Sequence, residues 1–284
     1  MPDCNQAHRT AGLVLSGCLE AMDFKVAILE AGLEGRKIGS RLHFLEEVDS
    51  TNRLALTLAR SGAPEGTVVL ADRQTAGRGR LKRPWQSPPG CNIYASLLLR
   101  PPISPSLAPG LSLMTGVAVA EAVRRYCPSG VGLKWPNDVR IGGHKVCGIL
   151  AETLLKGKSL KAVVIGIGLN VNIDRNAFDP ELRGLATSLG TETGKRLVRE
   201  EVAVTLFASL DYWYERFLKE GFPPVREAWL SLSELEGQKI RILFQGEERE
   251  GRVAGIDQDG ALLICDDQGV PARITVGDAT IVKE

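Results

Sequence analysis

The run Gly77-Arg78-Gly79-Arg80, with Arg83 and Trp85 close behind and Ser87-Pro88-Pro89-Gly90 closing it, is the densest concentration of chemistry in the 284-residue chain. Glycines let a backbone approach a ligand, and guanidinium groups offer paired donors to phosphate or carboxylate oxygens. No Gly-Lys-Ser/Thr follows, so the run is not a P-loop, and Lys82 stands where a dinucleotide fingerprint needs its third glycine. By itself the segment reads equally as an anion site or as a solvated basic loop of the kind that meets nucleic acid. A second cluster comprises Lys134-Trp135-Pro136-Asn137-Asp138, Gly142-Gly143-His144-Lys145 and Gly148-Ile149-Leu150-Ala151-Glu152. Pro136 and the Asn-Asp pair favour a tight turn, which places Lys134 and Asp138 at a strand end beside the next hairpin. Lysine beside aspartate suits an adenylation: the ammonium neutralises carboxylate and phosphate oxygens, and the acid holds a metal ion or orients an amine. Seen alone, the pair reads more readily as a salt bridge. The third element, Gly166-Ile167-Gly168-Leu169-Asn170-Val171-Asn172, is a strand interrupted by glycines, a mark of close approach by a ligand or another backbone. Asn170 suits either the reading of an adenine edge or the capping of the turn that follows.

The elements that must position these residues alternate without strict order. Strands are expected at Leu42 to Leu45, Thr67 to Asp72, Asn92 to Arg100, Gly132 to Trp135, Val146 to Glu152 and Lys161 to Asn172, the last rich in Val and Ile as a central strand is. Asp49-Ser50-Thr51-Asn52 supplies cap chemistry for a helix carrying Leu54, Ala55 and Leu58. Further helices are expected over about Leu111 to Tyr126, Arg199 to Glu220 and Pro223 to Leu232, with Leu206, Leu210, Trp213, Phe217 and Trp229 facing inward. Residues Gln74 to Gly90 form a loop too polar for the core, and loops of that length are functional or disordered. From Gly237 onward short strands follow at Lys239 to Phe244, Glu250 to Ile256, Ala261 to Asp266 and Ala272 to Val276, with Asp259-Gly260 as a hairpin signal. The pattern predicts an α+β layered fold, a mixed β-sheet flanked by helices, with three parts: a helical lead-in over 1–37, a main domain over 38–234 and a small closed barrel over 235–284.

Composition narrows the classes. With 44% hydrophobic and 24% charged residues the chain is built like an ordinary globular protein. Lys+Arg of 35 against Asp+Glu of 34 leaves a net charge of +1, so any polyanion site has to be local. The six cysteines, Cys4, Cys18, Cys91, Cys127, Cys147 and Cys265, include no Cys-x-x-Cys pair and have only three histidines beside them. That argues against a zinc site or a disulfide framework and for a reducing, cytoplasmic setting. Leu15-Ser16-Gly17-Cys18 imitates a lipoprotein cleavage box, but Leu13, Leu15, Leu19, Met22, Val26 and Leu29 recur at helical intervals and read as an amphipathic helix. No stretch approaches a membrane span.

Taken in order, Gly77-Arg78-Gly79-Arg80, Trp85-x-Ser87-Pro88, Lys134-Trp135-Pro136-Asn137-Asp138, Lys145-x-x-Gly148-Ile149-Leu150 and Gly166-x-Gly168-x-Asn170 resemble the biotin protein ligase family. Any one motif is weak, but the ordered set is specific, and the resemblance covers residues 38 to 284, including Asp49-Ser50-Thr51-Asn52 and Ala186-Thr187-Ser188-Leu189. It implies a fold related to class II aminoacyl-tRNA synthetases and lipoate ligases, with an SH3-like barrel at the C-terminus. It implies adenylation of biotin by ATP with Mg2+, and then transfer to a lysine of a biotin carboxyl carrier protein or domain of acetyl-CoA carboxylase or a related carboxylase.

By matching positions, Ser50, Thr51, Asn52 and Gln74 would meet the ureido ring of biotin, neutral groups suiting an uncharged ligand. Gly79, Gly148 and Leu150 would contact biotin, and Arg78 and Arg80 would hold the adenylate phosphate and order the loop. Trp85 would cover the intermediate, and Asn170 would meet the adenine. Lys134 and Lys145 would face the biotin carboxylate and the α-phosphate, Asp138 would activate the acceptor lysine, and the metal would ride on ATP with no protein ligand set of its own. Two positions depart from the family: Lys82, where many members have glycine, and Gly277-Asp278-Ala279, where many have Gly-Glu-Val. A lipoate ligase would lack the Lys-Trp-Pro-Asn-Asp block. A bifunctional ligase that also represses transcription would need an N-terminal winged helix, longer than 1–37 and with a basic recognition helix. The expectation is therefore no specific DNA binding and no membrane partner, with a homodimer left open.

Overall fold

The computed structural model describes residues 24–244, 247–275, 277 and 279–282. A short helix, α1 (Val26–Gly32), leads into β1 (Arg41–Val48), α2 (Thr51–Arg60), β2 (Thr67–Gln74), β3 (Ile93–Leu99) and α3 (Ala108–Arg124). Then come β4 (Val131–Lys134), β5 (Asp138–Ile141), β6 (His144–Lys156), β7 (Ser159–Leu169), α4 (Leu189–Thr193), α5 (Arg199–Glu220) and α6 (Pro223–Leu232). The first seven strands form one sheet in the order β1-β2-β3-β7-β6-β5-β4. β1 and β2 run parallel and every other pairing is antiparallel, so the sheet is mixed, as expected.

The Val/Ile run of β7 occupies the middle of this sheet, and strand alternation divides its side chains between two apolar layers. Val68, Leu70, Leu97, Leu99, Val163 and Ile165 face the large core with α3, α5 and α6. Val69, Leu98, Ala162 and Val164 face a smaller cluster with Ala55 and Ala59 of α2. Burial on both faces explains why these stretches are rich in apolar residues at successive positions. Helix α3 is apolar nearly all round because it lies inside that large core. One correction follows: Pro105–Arg124 is long and apolar enough to cross a membrane, although most of it is buried within the fold.

The lead-in helix expected from Leu13, Leu15, Leu19 and Met22 lies outside the described residues. Val26 and Leu29 of the same pattern fall in α1, where Leu29 is buried and Gly32 abuts Val204 so closely that a Cβ would lie 2.5 Å from a methyl. Two strands escaped the sequence reading, β5 and the last one below. Each is three or four residues long, too short to establish a period.

The C-terminal segment forms β8 (Lys239–Phe244), β9 (Glu247–Ile256), β10 (Leu262–Cys265), β11 (Pro271–Ile274) and β12 (Ala279–Ile281), an antiparallel sheet in the order β11-β10-β9-β8-β12. This is consistent with an SH3-like module. Ile240, Val253, Ile256, Leu262 and Ile274 belong to the same apolar cluster as the main core. The hairpin at Asp259-Gly260 touches the main sheet directly: the Trp135 indole N–H donates to the Gly260 carbonyl at 3.1 Å, and Gly260 has φ +84°.

Asp257 organises this turn. Its carboxylate accepts from the N–H groups of Asp259 (2.8 Å) and Ala261 (2.9 Å) and pairs with Arg273. Burial pushes the carboxyl up, but the Arg273 guanidinium and the two backbone donors outweigh it and hold it below its ordinary value. A lowered folded pKa contributes stability that is present above the unfolded value and lost as pH falls through it. Asp257→Asn is therefore expected to lower the melting temperature by a few degrees at neutral pH and to flatten the decline on acidification below about pH 4. Parallel melting curves of the two proteins from neutral to acid pH would contradict this.

Candidate active site

The motif segments meet at one end of the main sheet. The loop after β2 folds back as a tight hairpin: Trp85 N–H donates to Gly77 O (2.9 Å) and Gly79 N–H to Arg83 O (2.8 Å). Its base is clamped, since both oxygens of Asp72 accept from Gly90 N–H at 3.1 Å and Asp72 pairs at 2.6 Å with Arg199, a buried arginine at the start of α5. Beneath the loop is a cavity of about 340 Å³, within the range of small-molecule sites. All the residues nominated above line it: Ser50, Thr51, Asn52, Gln74, Arg78, Gly79, Arg80, Trp85, Lys134, Asp138, Lys145, Gly148, Leu150 and Asn170.

Its floor is neutral and polar. Gln74 Oε1 accepts from the Thr51 N–H (2.9 Å) and hydroxyl (3.1 Å), and Gln74 Nε2 donates to Ser87 Oγ (3.0 Å). The expected cap of α2 therefore differs from the sequence reading: Ser50 sits at the cap position without a side-chain cap bond, and Gln74 serves the Thr51 N–H from the neighbouring strand. Ser96, fully buried on β3, lies 2.8 Å from Thr51 Oγ1 and 2.6 Å from Asn52 Oδ1. Asn52 Nδ2 donates to Leu150 O (3.2 Å) and to Glu152 Oε2 (2.8 Å), so its amide is held at both ends.

The wall is cationic. Arg78, Arg80, Arg83, Lys134, Arg140 and Lys145 line the cavity with one carboxylate, Asp138, among the described residues. A chain of net charge +1 thus gathers an excess of cationic side chains here, the local placement that any polyanion site in it would need. Lys134 and Asp138 are register partners across β4 and β5, yet Asp138 pairs with Lys145 instead, at 2.6 Å. Lys145 Nζ also lies 5.3 Å from the Trp85 ring centre. The indole rests on the glycine floor, where a Cβ on Gly168 would fall 2.4 Å from its Nε1 and one on Gly148 2.9 Å from its Cζ3. Only glycine leaves room for the indole. Cys147, between Lys145 and Gly148, is a buried thiol that burial pushes far up, which keeps it a protonated packing residue rather than a nucleophile.

Arg80 reaches across to the C-terminal segment, donating to Gly277 O at 2.9 Å. Asn170 Nδ2 donates to Thr187 O at 3.0 Å, so the anchoring of the next loop, one of its two sequence readings, is realised at the cavity edge. The segment after β7 was missed by the sequence reading: Lys145 N–H donates to Leu185 O (2.8 Å) and Thr187 N–H to Lys145 O (2.9 Å), which brings Phe178, Leu182 and Leu185 to the wall. Irregular chain carries no period that would announce it. Ser96 was also missed, though a lone hydroxyl inside Ile93-Tyr94-Ala95-Ser96-Leu97 is a legible signal.

The hairpin tip carries local strain. Leu81 (φ +54°) and Lys82 (φ +60°) are both left-handed, the conformation glycine adopts freely. Glycine in place of Lys82 would adopt this backbone without that strain. Lys82→Gly is expected to favour the observed tip by about 1 kcal/mol and to slow amide hydrogen exchange over 79–83 about fivefold. Faster exchange in the variant would argue against the assigned tip geometry.

Residues 44–170 match the model of the biotin/lipoate A/B protein ligase family. The chain is 37% identical over 224 residues to biotin–[acetyl-CoA-carboxylase] ligase of Paracoccus denitrificans, covering 78% of this chain and 92% of that protein. It belongs to the biotin protein ligase family. Its likeness to other members is spread along the fold. It is 36% identical over 239 residues to the bifunctional ligase/repressor BirA of Bacillus subtilis, covering 84% of this chain and 74% of that one. The biotin protein ligase from Aquifex aeolicus in complex with biotin and ATP superposes with a TM-score of 0.73 at 31% identity, covering 86% of this chain and all of that one.

Proposed function

We propose that this cavity binds biotin and ATP, joins them as biotinyl-5'-AMP with release of pyrophosphate, and passes the biotinyl group to a lysine of the biotin carboxyl carrier domain of a carboxylase such as acetyl-CoA carboxylase. The observation that carries this reading is the juxtaposition, in one cavity, of a neutral hydrogen-bonding floor with a wall of six cationic side chains. An uncharged bicyclic ring suits the floor, and a carboxylate approaching a triphosphate suits the wall.

In this reading Ser50, Thr51, Asn52 and Gln74 orient the ring, with Gly148 and Leu150 alongside it. Lys134 and Lys145 neutralise the carboxylate and the α-phosphate as charge develops between them. Arg78 and Arg80 hold the phosphate, Trp85 keeps water off the mixed anhydride, and Asn170 borders the adenine. Asp138, paired with Lys145, is the group placed to receive a proton from the acceptor lysine. No group of three acidic, histidine or cysteine side chains among the described residues could hold a metal. With Asp138 as the one lining carboxylate, the donor set suits Mg2+ delivered on the ATP phosphates, whose charge the metal would neutralise as pyrophosphate leaves.

We assign 38–234 to the ligase unit and 235–284 to the barrel, a cytoplasmic setting with isolated thiols, and neither DNA nor membrane as partner. Exchange of labelled pyrophosphate into ATP, with biotin and lipoate offered separately, tests the central claim. Exchange with biotin alone is expected; none with biotin, or equal exchange with lipoate, would sink it.

A further inference from the structure

Glu152 has no place in the chemistry described so far, yet one of its oxygens joins the two halves of the site. Oε2 accepts from Asn52 Nδ2 at 2.8 Å and pairs with Arg78 Nη2 at 3.4 Å. Asn52 is buried, and its Oδ1 faces the Ser96 hydroxyl at 2.6 Å, which also lies 2.8 Å from Thr51 Oγ1. A carboxylate can only accept, so Glu152 keeps the Asn52 nitrogen turned toward β6 and its oxygen toward Ser96. The reversed amide would set two acceptors against each other.

Resting on the reading above, we infer that Glu152 is a positioning residue that couples the ring-binding floor to the phosphate-binding arginine by fixing the Asn52 amide on one side and the Arg78 guanidinium on the other. The site-loop hairpin has few other ties at this point: Arg78 is otherwise held by an isolated backbone bridge to Pro84 across the hairpin. Its side chain is about one-third exposed, and the Glu152 carboxylate slightly less. A half-solvated pair contributes little to global stability, yet it confines a long flexible side chain to the cavity rim. Arginine must be there before a phosphate arrives for the loop to close on the intermediate without delay.

Glu152→Gln keeps an acceptor for Asn52 while removing the charge that holds Arg78, so the folded protein is retained. Without carrier, it is expected to raise the release of biotinyl-adenylate, counted as AMP formed with biotin and ATP, about fivefold over the unsubstituted enzyme. In an Arg78→Ala background the same substitution is expected to add nothing, because the group through which Glu152 acts is gone. An equal increase in both backgrounds, or none in either, overturns the inference. Should the glutamine variant fold poorly, Glu152→Asp, which withdraws the carboxylate by one methylene, runs the same cycle: an increase confined to the Arg78 background supports the coupling, and an equal increase or none overturns it. The proposed function fails separately, if the unsubstituted enzyme shows no biotin-dependent pyrophosphate exchange.

Discussion

Lys145→Ala is expected to slow formation of biotinyl-adenylate by about a hundred- to a thousandfold, the usual effect of deleting one preorganised donor from a water-poor site. The lysine is held from two sides, by Asp138 at 2.6 Å and by the Trp85 ring at 5.3 Å, so it arrives oriented and needs no rearrangement as charge develops. Its removal would act twice: in the proposed role the oxygens of carboxylate and α-phosphate would lose their counter-charge, and the Asp138 carboxylate, buried at Oδ1, would be left without its cation. Arginine is a poor replacement, because its planar fork is bulkier than the ammonium against the indole and the Gly148 floor. Single-turnover formation of the adenylate with biotin and ATP measures the effect, with thermal unfolding alongside to separate chemistry from folding. A folded variant within threefold of the unsubstituted rate would remove Lys145 from the adenylation step.

Arg78→Ala is expected to act on the fate of the intermediate more than on its formation. The adenylate phosphate would lose one charge-assisted partner, and a contact of that kind contributes about 1.5 to 3 kcal/mol, so escape should rise roughly tenfold to a hundredfold. The hairpin also loses its tie to Glu152, and water gains access to an anhydride that hydrolyses readily. In a carrier-free assay AMP should accumulate faster than in the unsubstituted enzyme. Biotin should also appear on small bystander amines such as free lysine, since an escaped adenylate acylates what it meets. An unchanged leak with slowed adenylation would move Arg78 from retention to catalysis. The two variants thus separate along the reaction coordinate, Lys145 before the intermediate and Arg78 after it.

Both predictions begin from residues visible in the chain, but their relation was not visible. Lys134 and Asp138 stand in one motif and are opposite each other across two strands, which invites the pair; the ion pair forms instead between Asp138 and Lys145 of the next motif. The hairpin strand β5 is the reason. It is four residues long and lays Asp138 beside Gly148 of β6, with a register irregularity after Val139 that sets the Lys145 end of β6 against it. A segment so short, preceded by proline and carrying Asp138 and Arg140, has too little alternation to be recognised as a strand.

The sequence by itself determined the elements with strong periods and the residue types of the site. The apolar run of β7 became the middle of the sheet, Arg199–Glu220 and Pro223–Leu232 became helices with the bounds read from their patterns, and every nominated side chain lines one cavity. Local patterns are legible because they arise from interactions within a few residues. The tertiary structure alone decided which groups touch. Gln74 rather than Ser50 serves the first N–H of α2, Glu152 joins Asn52 to Arg78, and the Ser96 hydroxyl meets both Thr51 and Asn52. Each of these contacts spans between 23 and 100 residues of chain, and a hydrogen bond over such a distance leaves no mark on the spacing of its partners.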